Sequence, residues 1–240
     1  MSARDDTDPR HDAADRRQPL GLVATRPTFY FDLASPYTYL AAERAERMCS
    51  KLRWVPASSE ALQCHASLSR EGRAAVAQRA GEIGLPLSWP STPPLKVVGA
   101  MRVASLAVEQ GVGALFVLAA SRLAFCGAHD IENLQILGDA AYVAGISQHD
   151  MLEAAMDSAR DGAIEHAGRR LLLAGADRLP ALHVGIRLCC DESAFKDAVV
   201  AARSESVPDD GELQVANPPR PQPEERVVPF PRLRSLRAPH

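Results

Sequence analysis

The sequence contains no Cys-x-x-Cys among its five cysteines, which excludes a dithiol oxidoreductase, because that chemistry needs two sulfurs one helical turn apart. Cys49, Cys64, Cys126, Cys189 and Cys190 are odd in number and show no zinc-type pairing. The adjacent pair Cys189-Cys190 reads as a strand end, since a vicinal disulfide is strained and no resolving partner lies nearby in the sequence. The histidines (His11, His65, His129, His149, His166, His183, His240) are scattered without an H-x-x-x-H spacing, which argues against a metal site. No apolar run approaches the roughly 18 residues of a membrane-spanning helix. Residues 1–17 are charged and lack the apolar centre of a signal peptide, so a reducing cytoplasm is the expected compartment. A formal net charge of -3 gives no electrostatic case for nucleic acid or an anionic membrane. There is no internal repeat.

What is present is enough for one substantial core. The chain has 240 residues, 46% of them hydrophobic, which suffices for a single domain with an inserted subdomain. Residues 1–25 mix Asp and Arg with few apolar positions. Residues 204–240 are proline-rich (Pro208, Pro218, Pro219, Pro221, Pro223, Pro229, Pro231, Pro239) and end in a weakly basic tip with Arg232, Arg234 and Arg237. Both read as disordered tails that bury too little apolar surface to offset the entropy of ordering.

The most informative stretch is Phe29-Tyr-Phe-Asp-Leu-Ala-Ser-Pro-Tyr-Thr-Tyr-Leu40. Residues 28–33 are aromatic and apolar and predict a strand. Ser35 is a favoured N-cap and Pro36 fits the first helical position, where a missing N–H costs nothing. Residues 37–48 are good helix formers, with Tyr37, Leu40, Ala41 and Ala45 on one face. A helix N-terminus is electropositive and carries unpaired N–H groups, so an anion is favoured beside Ser35. Ser35 and Thr38 stand where a thioredoxin-type Cys-x-x-Cys would carry its sulfurs. Ser35 is thus either a donor to an anion or an ordinary helix cap.

The rest of the pattern is helical and then returns to strand. Residues 51–55 predict a second strand ending at Pro56. Met101, Ala104 and Val108 share a helix face, as do Leu115, Phe116, Ala119 and Leu123. Ile131, Leu134, Leu137, Ala141 and Ala144 make a third stripe, and Ile164, Ala167 and Leu171 a fourth. Gly111, Gly127, Gly145 and Gly175 predict helix ends. Residues 181–184 and 186–188 read as strands about a turn at Gly185, and Asp191 and Glu192 open the last helix.

The run Phe31-Asp-x-x-Ser35-Pro-Tyr-x-Tyr-Leu40 resembles the opening of the 2-hydroxychromene-2-carboxylate isomerase group, related to kappa-class glutathione transferases within the DsbA-like thioredoxin superfamily. Three later stretches resemble the group in order. These are Trp89-Pro90 with Pro93-Pro94 and Ala100-Met101-Arg102; Leu123-Ala-Phe125 with Asp130-Ile131, Leu137 and Ala144-Gly145-Ile146; and Leu179-Pro180-Ala181-Leu182-His183-Val184, which is similar to a cis-proline segment before a strand. The likeness spans about residues 27–203. It implies an α/β thioredoxin-like fold over residues 26–203 with an inserted all-helical subdomain at about residues 60–174.

The resemblance also implies a chemistry. Glutathione would lie beside Pro180, with the backbone of Leu179 facing its cysteinyl part and Asp191 or Glu192 receiving its α-ammonium group. Ser35 would activate the thiol at the helix N-terminus, giving a glutathione-dependent isomerase or transferase acting on a small aromatic carboxylate. A serine suits this task because a cysteine would form a mixed disulfide and stall. The chain departs from the group at several points. Residues 56–64 lack its lysine; Lys96 stands in place of its asparagine and reads either as a substitute carboxylate ligand or as an exposed loop lysine; and Ala181 replaces its threonine. Two other readings stay open: a diverged DsbA-like protein that binds a thiol or peptide without turnover, and an interaction module working through the proline-rich tail. Homodimers are common in the resembled group, though no surface here can be assigned to one.

Overall fold

Side-chain alternation along one strand builds both faces of the sheet. The computed structural model describes residues 24–48, 52–63, 69–90 and 96–205; Cys49, Lys51, Cys64, His65, Pro93, Pro94 and residues 1–23 and 206–240 lie outside the described residues, and residues 24–25 and 204–205, read from sequence as tail, belong to a strand and a helix. Strand β1 (Ala24–Phe31) pairs in parallel with β2 (Arg53–Pro56) and antiparallel with β3 (Ala181–Gly185). Strand β4 (Arg187–Cys189) pairs antiparallel with β3, giving the order β2-β1-β3-β4. The turn between β3 and β4 uses Gly185 at φ +59°, a conformation glycine adopts without a Cβ penalty.

Because successive side chains point to opposite faces, Phe29 and Phe31 of β1 enter one core with Trp54, Leu182 and Val184. The Phe29 ring meets Trp54 edge-on at 4.8 Å and Phe195 at 6.1 Å, geometries that add about 0.5–1.5 kcal/mol per pair beyond burial. The other face carries Tyr30, Ala181 and Leu188, covered by Leu171 and Leu179. Helix α1 (Pro36–Met48) follows β1, and α8 (Phe195–Glu205) follows β4 after a 3-10 turn at Glu192–Ala194.

Between β2 and β3 the described chain is helical: α2 (Arg70–Glu82), α3 (Val98–Glu109), α4 (Gly113–Phe125), α5 (Leu134–Val143), α6 (Gln148–Met156) and α7 (Asp161–Leu173). Side chains of Ser69, Asn133 and Ser147 accept first-turn N–H groups of α2, α5 and α6. Helix α3 is capped from a distance: the carboxylate of Glu132 accepts from Gly99 N at 3.2 Å and Ala100 N at 2.9 Å. Arg102 ties α3 to α7 through a bidentate pair with Asp161 at 2.7 and 2.6 Å, and to α6 through the Ala155 carbonyl at 3.0 Å.

Several expectations shift. Strand β1 starts at Ala24 and stops at Phe31, because residues 32–35 close a turn through Ser35 N–H to the Asp32 carbonyl at 3.0 Å. Leu115 and Leu134 are 53% and 50% exposed. One residue is about 100° of helix, so burying Phe116 and Val117 on α4 turns Leu115 outward, whereas Leu134 shares the face of Leu137 and Ala141 and is exposed as the first residue of α5. Ile131 is buried but precedes the N-cap Asn133. Gly111, Gly145 and Gly175 end helices at positive φ, whereas after α4 the positive φ falls on Ala128 instead of Gly127. Helices α2 and α6 carry no stripe singled out by the sequence pattern. Among the described residues no helix is long and apolar enough to cross a membrane.

Candidate functional site

The site begins at the turn from β1 into α1, where the short side chain of Asp32 organises the backbone. Its Oδ1 accepts from Ala34 N at 2.9 Å and its Oδ2 from Ser59 N at 3.0 Å, stapling the turn to the segment after β2. Thr38 Oγ1 accepts from Asp32 N at 3.3 Å, and Thr38 is fully buried. Thr38, the last position of the Ser-Pro-Tyr-Thr motif, is therefore structural. The Leu33 N–H points at Met101 Sδ, 3.4 Å away on α3, so the helical insert touches the same turn.

Ser35 lies at the start of α1 and is 9% exposed. Its hydroxyl donates to the carbonyl of Leu179 at 3.3 Å, across 144 positions of sequence. The following bond, Leu179–Pro180, is cis. The N-terminus of α1 and the cis-proline segment are thus joined by one hydrogen bond, longer than the usual 2.7–2.8 Å of an O–H···O contact. The Ser35 hydroxyl thus engages a segment far from its own helix.

Outside this junction an open cleft of about 350 Å³ is lined by Tyr37 of α1, by Ala75, Arg79 and Glu82 of α2, by Arg178 to Pro180, and by Cys190, Asp191 and Ser193. That volume lies at the lower end of small-ligand pockets, about 300–1,000 Å³. Asp191 Oδ1 accepts from both Ser193 N (2.9 Å) and Ser193 Oγ (2.7 Å), fixing the turn that leads into α8. Arg178 holds Asp177 in a bidentate pair at 3.2 and 3.1 Å on an exposed rim. Arg79 donates to Glu82 at 3.1 Å, and hydrogen bonds from Gln78 and Arg79 hold the Glu82 carboxyl below its ordinary range. Burial pushes the Cys190 thiol up, with backbone hydrogen bonds from Asp177 and Arg178 opposing the rise. Cys189 packs into the core with Phe29 and Cys190 into the cluster with Leu179, on opposite faces of the sheet, and both are free thiols.

Of the residues singled out by sequence, Leu179, Pro180 and Asp191 line the cleft, and Ser35 is hydrogen-bonded to it through Leu179. Lys96 is not among the lining residues; it pairs with Glu60 at 3.0 Å, both side chains largely exposed. The backbone of Glu192 lies in the 3-10 turn, while its side chain is outside the described residues. Sequence reading missed Tyr37, Arg79, Glu82, Arg178, Cys190 and Ser193 as lining groups. Arg178 carried a signal, a cation immediately before Leu-Pro; Arg79 carried none, because α2 reaches the cleft only through tertiary packing. Among the described residues no group of His, Cys, Asp or Glu could hold a metal ion.

No protein-family model matches the chain, and no curated protein matches it. Solved structures do. A 2-hydroxychromene-2-carboxylate isomerase superposes with a TM-score of 0.64 at 12% identity, covering 75% of this chain and 94% of its own. A probable DsbA oxidoreductase from Streptomyces coelicolor gives 0.56 at 18% identity, over 76% and 92% of the two chains. A candidate protein disulfide isomerase from Nitrosomonas europaea gives 0.57 at 17% identity, over 75% and 97%. These likenesses place the chain in the DsbA-like thioredoxin fold with a helical insert between β2 and β3.

Proposed function

We propose that this DsbA-like chain binds a glutathione-type thiol at the Ser35–Pro180 junction and acts as a glutathione-dependent isomerase or transferase on an aromatic carboxylate. The observation that carries the reading is the Ser35 hydroxyl, held at the N-terminus of α1 and 3.3 Å from the carbonyl before the cis-proline, at the edge of an open cleft. The residues fit such a thiol. Asp191 keeps Oδ2 for an ammonium group while Oδ1 is occupied by Ser193, and the cleft is open enough to admit an extended tripeptide backbone along Leu179 and Pro180.

When bound, glutathione supplies a nucleophilic thiolate that adds reversibly to a conjugated acceptor and so frees a double bond to rotate. The chain's own part is to make that thiolate available near neutral pH, since a free thiol has a pKa of about 8.5. Ser35 would turn its O–H from the Leu179 carbonyl toward the sulfur. Giving up a long, buried hydrogen bond costs about 1–3 kcal/mol for the acceptor left behind, and a charge-assisted bond to a thiolate offsets that with a stronger one. The α1 N-terminus adds its dipole in the same direction. Tyr37, one turn into the cleft wall, offers an aromatic face for the acceptor. The chemistry fits a reducing cytoplasm, where reduced glutathione is abundant.

A second reading has one observation in its favour. Lys96 is engaged by Glu60 away from the cleft lining, which favours a DsbA-like protein that binds a thiol or peptide without turnover. Titration with glutathione, following thiolate absorbance against pH in the native chain and in Ser35→Ala, tests the proposal. A lowered thiol pKa in the native protein that returns toward the free value in Ser35→Ala is expected. Binding with an unshifted thiol would leave only the second reading, and no binding at millimolar concentration would discard the glutathione mechanism.

A further inference from the structure

We infer that Met101, which is not among the residues lining the cleft, is a positioning residue for the Ser35 hydroxyl: its thioether takes the Leu33 N–H and so lets the helical insert set the turn that carries Ser35. The inference rests on the reading of Ser35 as donor to a bound thiol, and it adds a residue of the insert to that site.

The backbone N–H groups of the turn from Asp32 to Ser35 all have partners, but the partners differ in kind. Asp32 N donates to Thr38 Oγ1 at 3.3 Å, Ala34 N to Asp32 Oδ1 at 2.9 Å, and Ser35 N to the Asp32 carbonyl at 3.0 Å. Those bonds close within residues 32–38 and fix the shape of the turn. The Leu33 bond reaches outside it, to Met101 Sδ at 3.4 Å and 68 positions along the chain. Leu33 is fully buried and Met101 is 5% exposed, so this N–H has no solvent to fall back on.

Met101 is presented by a helix that is itself clamped. Its neighbour Arg102 holds Asp161 of α7 at 2.7 and 2.6 Å and the Ala155 carbonyl of α6 at 3.0 Å. Glu132 accepts from Gly99 N and Ala100 N at the start of the same helix. A thioether is a weak acceptor, yet a buried peptide N–H left without any acceptor is strongly disfavoured. Without the sulfur, the Asp32–Leu33 peptide should rotate toward another acceptor, and Ala34 and Ser35 follow it directly in the chain. The Ser35 hydroxyl then leaves its 3.3 Å alignment on the Leu179 carbonyl. A donor swung off line binds a neighbouring sulfur poorly, because hydrogen bonds weaken steeply with angle. Ser35 would keep its identity and lose its aim.

The test uses two substitutions that separate aim from stability. Met101→Leu keeps volume and apolar character but has no acceptor, and volume-conserving swaps of this kind are well tolerated. Met101→Gln returns an acceptor oxygen to Leu33 while burying an amide, so it should be the less stable of the two. With glutathione as the probe, thiolate absorbance is followed against pH in the full native chain, in both variants and in Ser35→Ala, and Tm is measured for each. The thiolate fraction at pH 7 is expected to fall about threefold to tenfold in Met101→Leu, toward its value in Ser35→Ala, and to recover in Met101→Gln despite the lower Tm. A thiolate fraction in Met101→Leu equal to the native one, or an order that simply follows Tm, would overturn the positioning role and leave the Ser35 reading in place. A thiolate insensitive to Ser35→Ala, or no binding of the probe, would overturn both.

Discussion

The substitution Gly168→Ala isolates how the helical insert is fixed against the site. Gly168 is buried in α7, where a Cβ would stand 2.5 Å from the Ser58 carbonyl oxygen and 2.9 Å from Ala61 Cβ. Neither obstacle is the loose end of a side chain. The Ser58 N–H also donates to the Ile164 carbonyl at 3.2 Å, so helix and loop are tied at a second point and cannot part freely. On an unobstructed helix surface the change would stabilise by about 0.8–1 kcal/mol through backbone propensity. Overpacking against backbone costs about 1–3 kcal/mol. We expect the clash to win, with a net loss of about 1–2 kcal/mol, or roughly 3–6 °C in Tm for a chain of this size. Ser59, next to Ser58, gives its N–H to Asp32 at 3.0 Å, so a displaced loop loosens the turn that carries Ser35. Thermal unfolding followed by far-ultraviolet circular dichroism measures the loss. A Tm unchanged or raised in Gly168→Ala would refute the contact between α7 and residues 57–63 on which the argument rests.

Other perturbations follow from the same contacts. Asp32→Ala leaves two N–H groups, of Ala34 and Ser59, without their acceptor, and should cost about 2–5 kcal/mol by urea unfolding; Asp32→Asn, which keeps one carbonyl acceptor, should fall between it and the native chain, and a neutral Asp32→Ala would disprove the staple. Glu132→Ala removes the cap of α3 and should cost about 1–2 kcal/mol, measured by the same unfolding curve; an unchanged midpoint would show that the cap contributes nothing. Arg102 first of all holds the Asp161 carboxyl below its ordinary range, so this pair adds stability above the usual Asp range and loses it as pH falls below about 4. Asp161→Asn should therefore flatten the acid limb of the stability profile while leaving the slope above neutral pH unaltered; an unchanged acid limb would count against the pair.

The β1–α1 junction was legible because its signals are local. Aromatic alternation, a Ser-Pro start and a run of helix formers lie within residues 28–48, and the structure bears out the strand and the helix with small shifts at their ends. The resemblance carried by residues 31–40 led to the same fold that the superpositions show. Stripes at helical spacing found α3, α4, α5 and α7, but could not say which edge of a stripe faces water. Leu115 turned outward because neighbouring helices, and not the stripe itself, set the rotation of α4, and Leu134 is exposed because α5 begins there. Helix α2 escaped notice because only Val76 and Ala80 are buried in it, too few for a pattern.

The cleft was less legible for a physical reason. Its walls come from α1, α2, the segment before β3 and the turn after β4, which are far apart in sequence and meet only when the sheet closes. Lys96 was a reasonable candidate by charge, yet its partner Glu60 lies 36 positions away and takes it out of the lining. The sequence by itself determined that no Cys-x-x-Cys is present, that a serine begins the first helix, and that a Leu-Pro pair precedes the returning strand. These are properties of residue identity and short-range order, which no packing can alter. Tertiary structure alone decided that the Ser35 hydroxyl meets Leu179, that Thr38 is spent on the Asp32 backbone, and that Arg79 and Arg178 share a cleft. Each of those facts depends on where a side chain many residues distant comes to rest, and that is fixed by the burial of the two sheet faces.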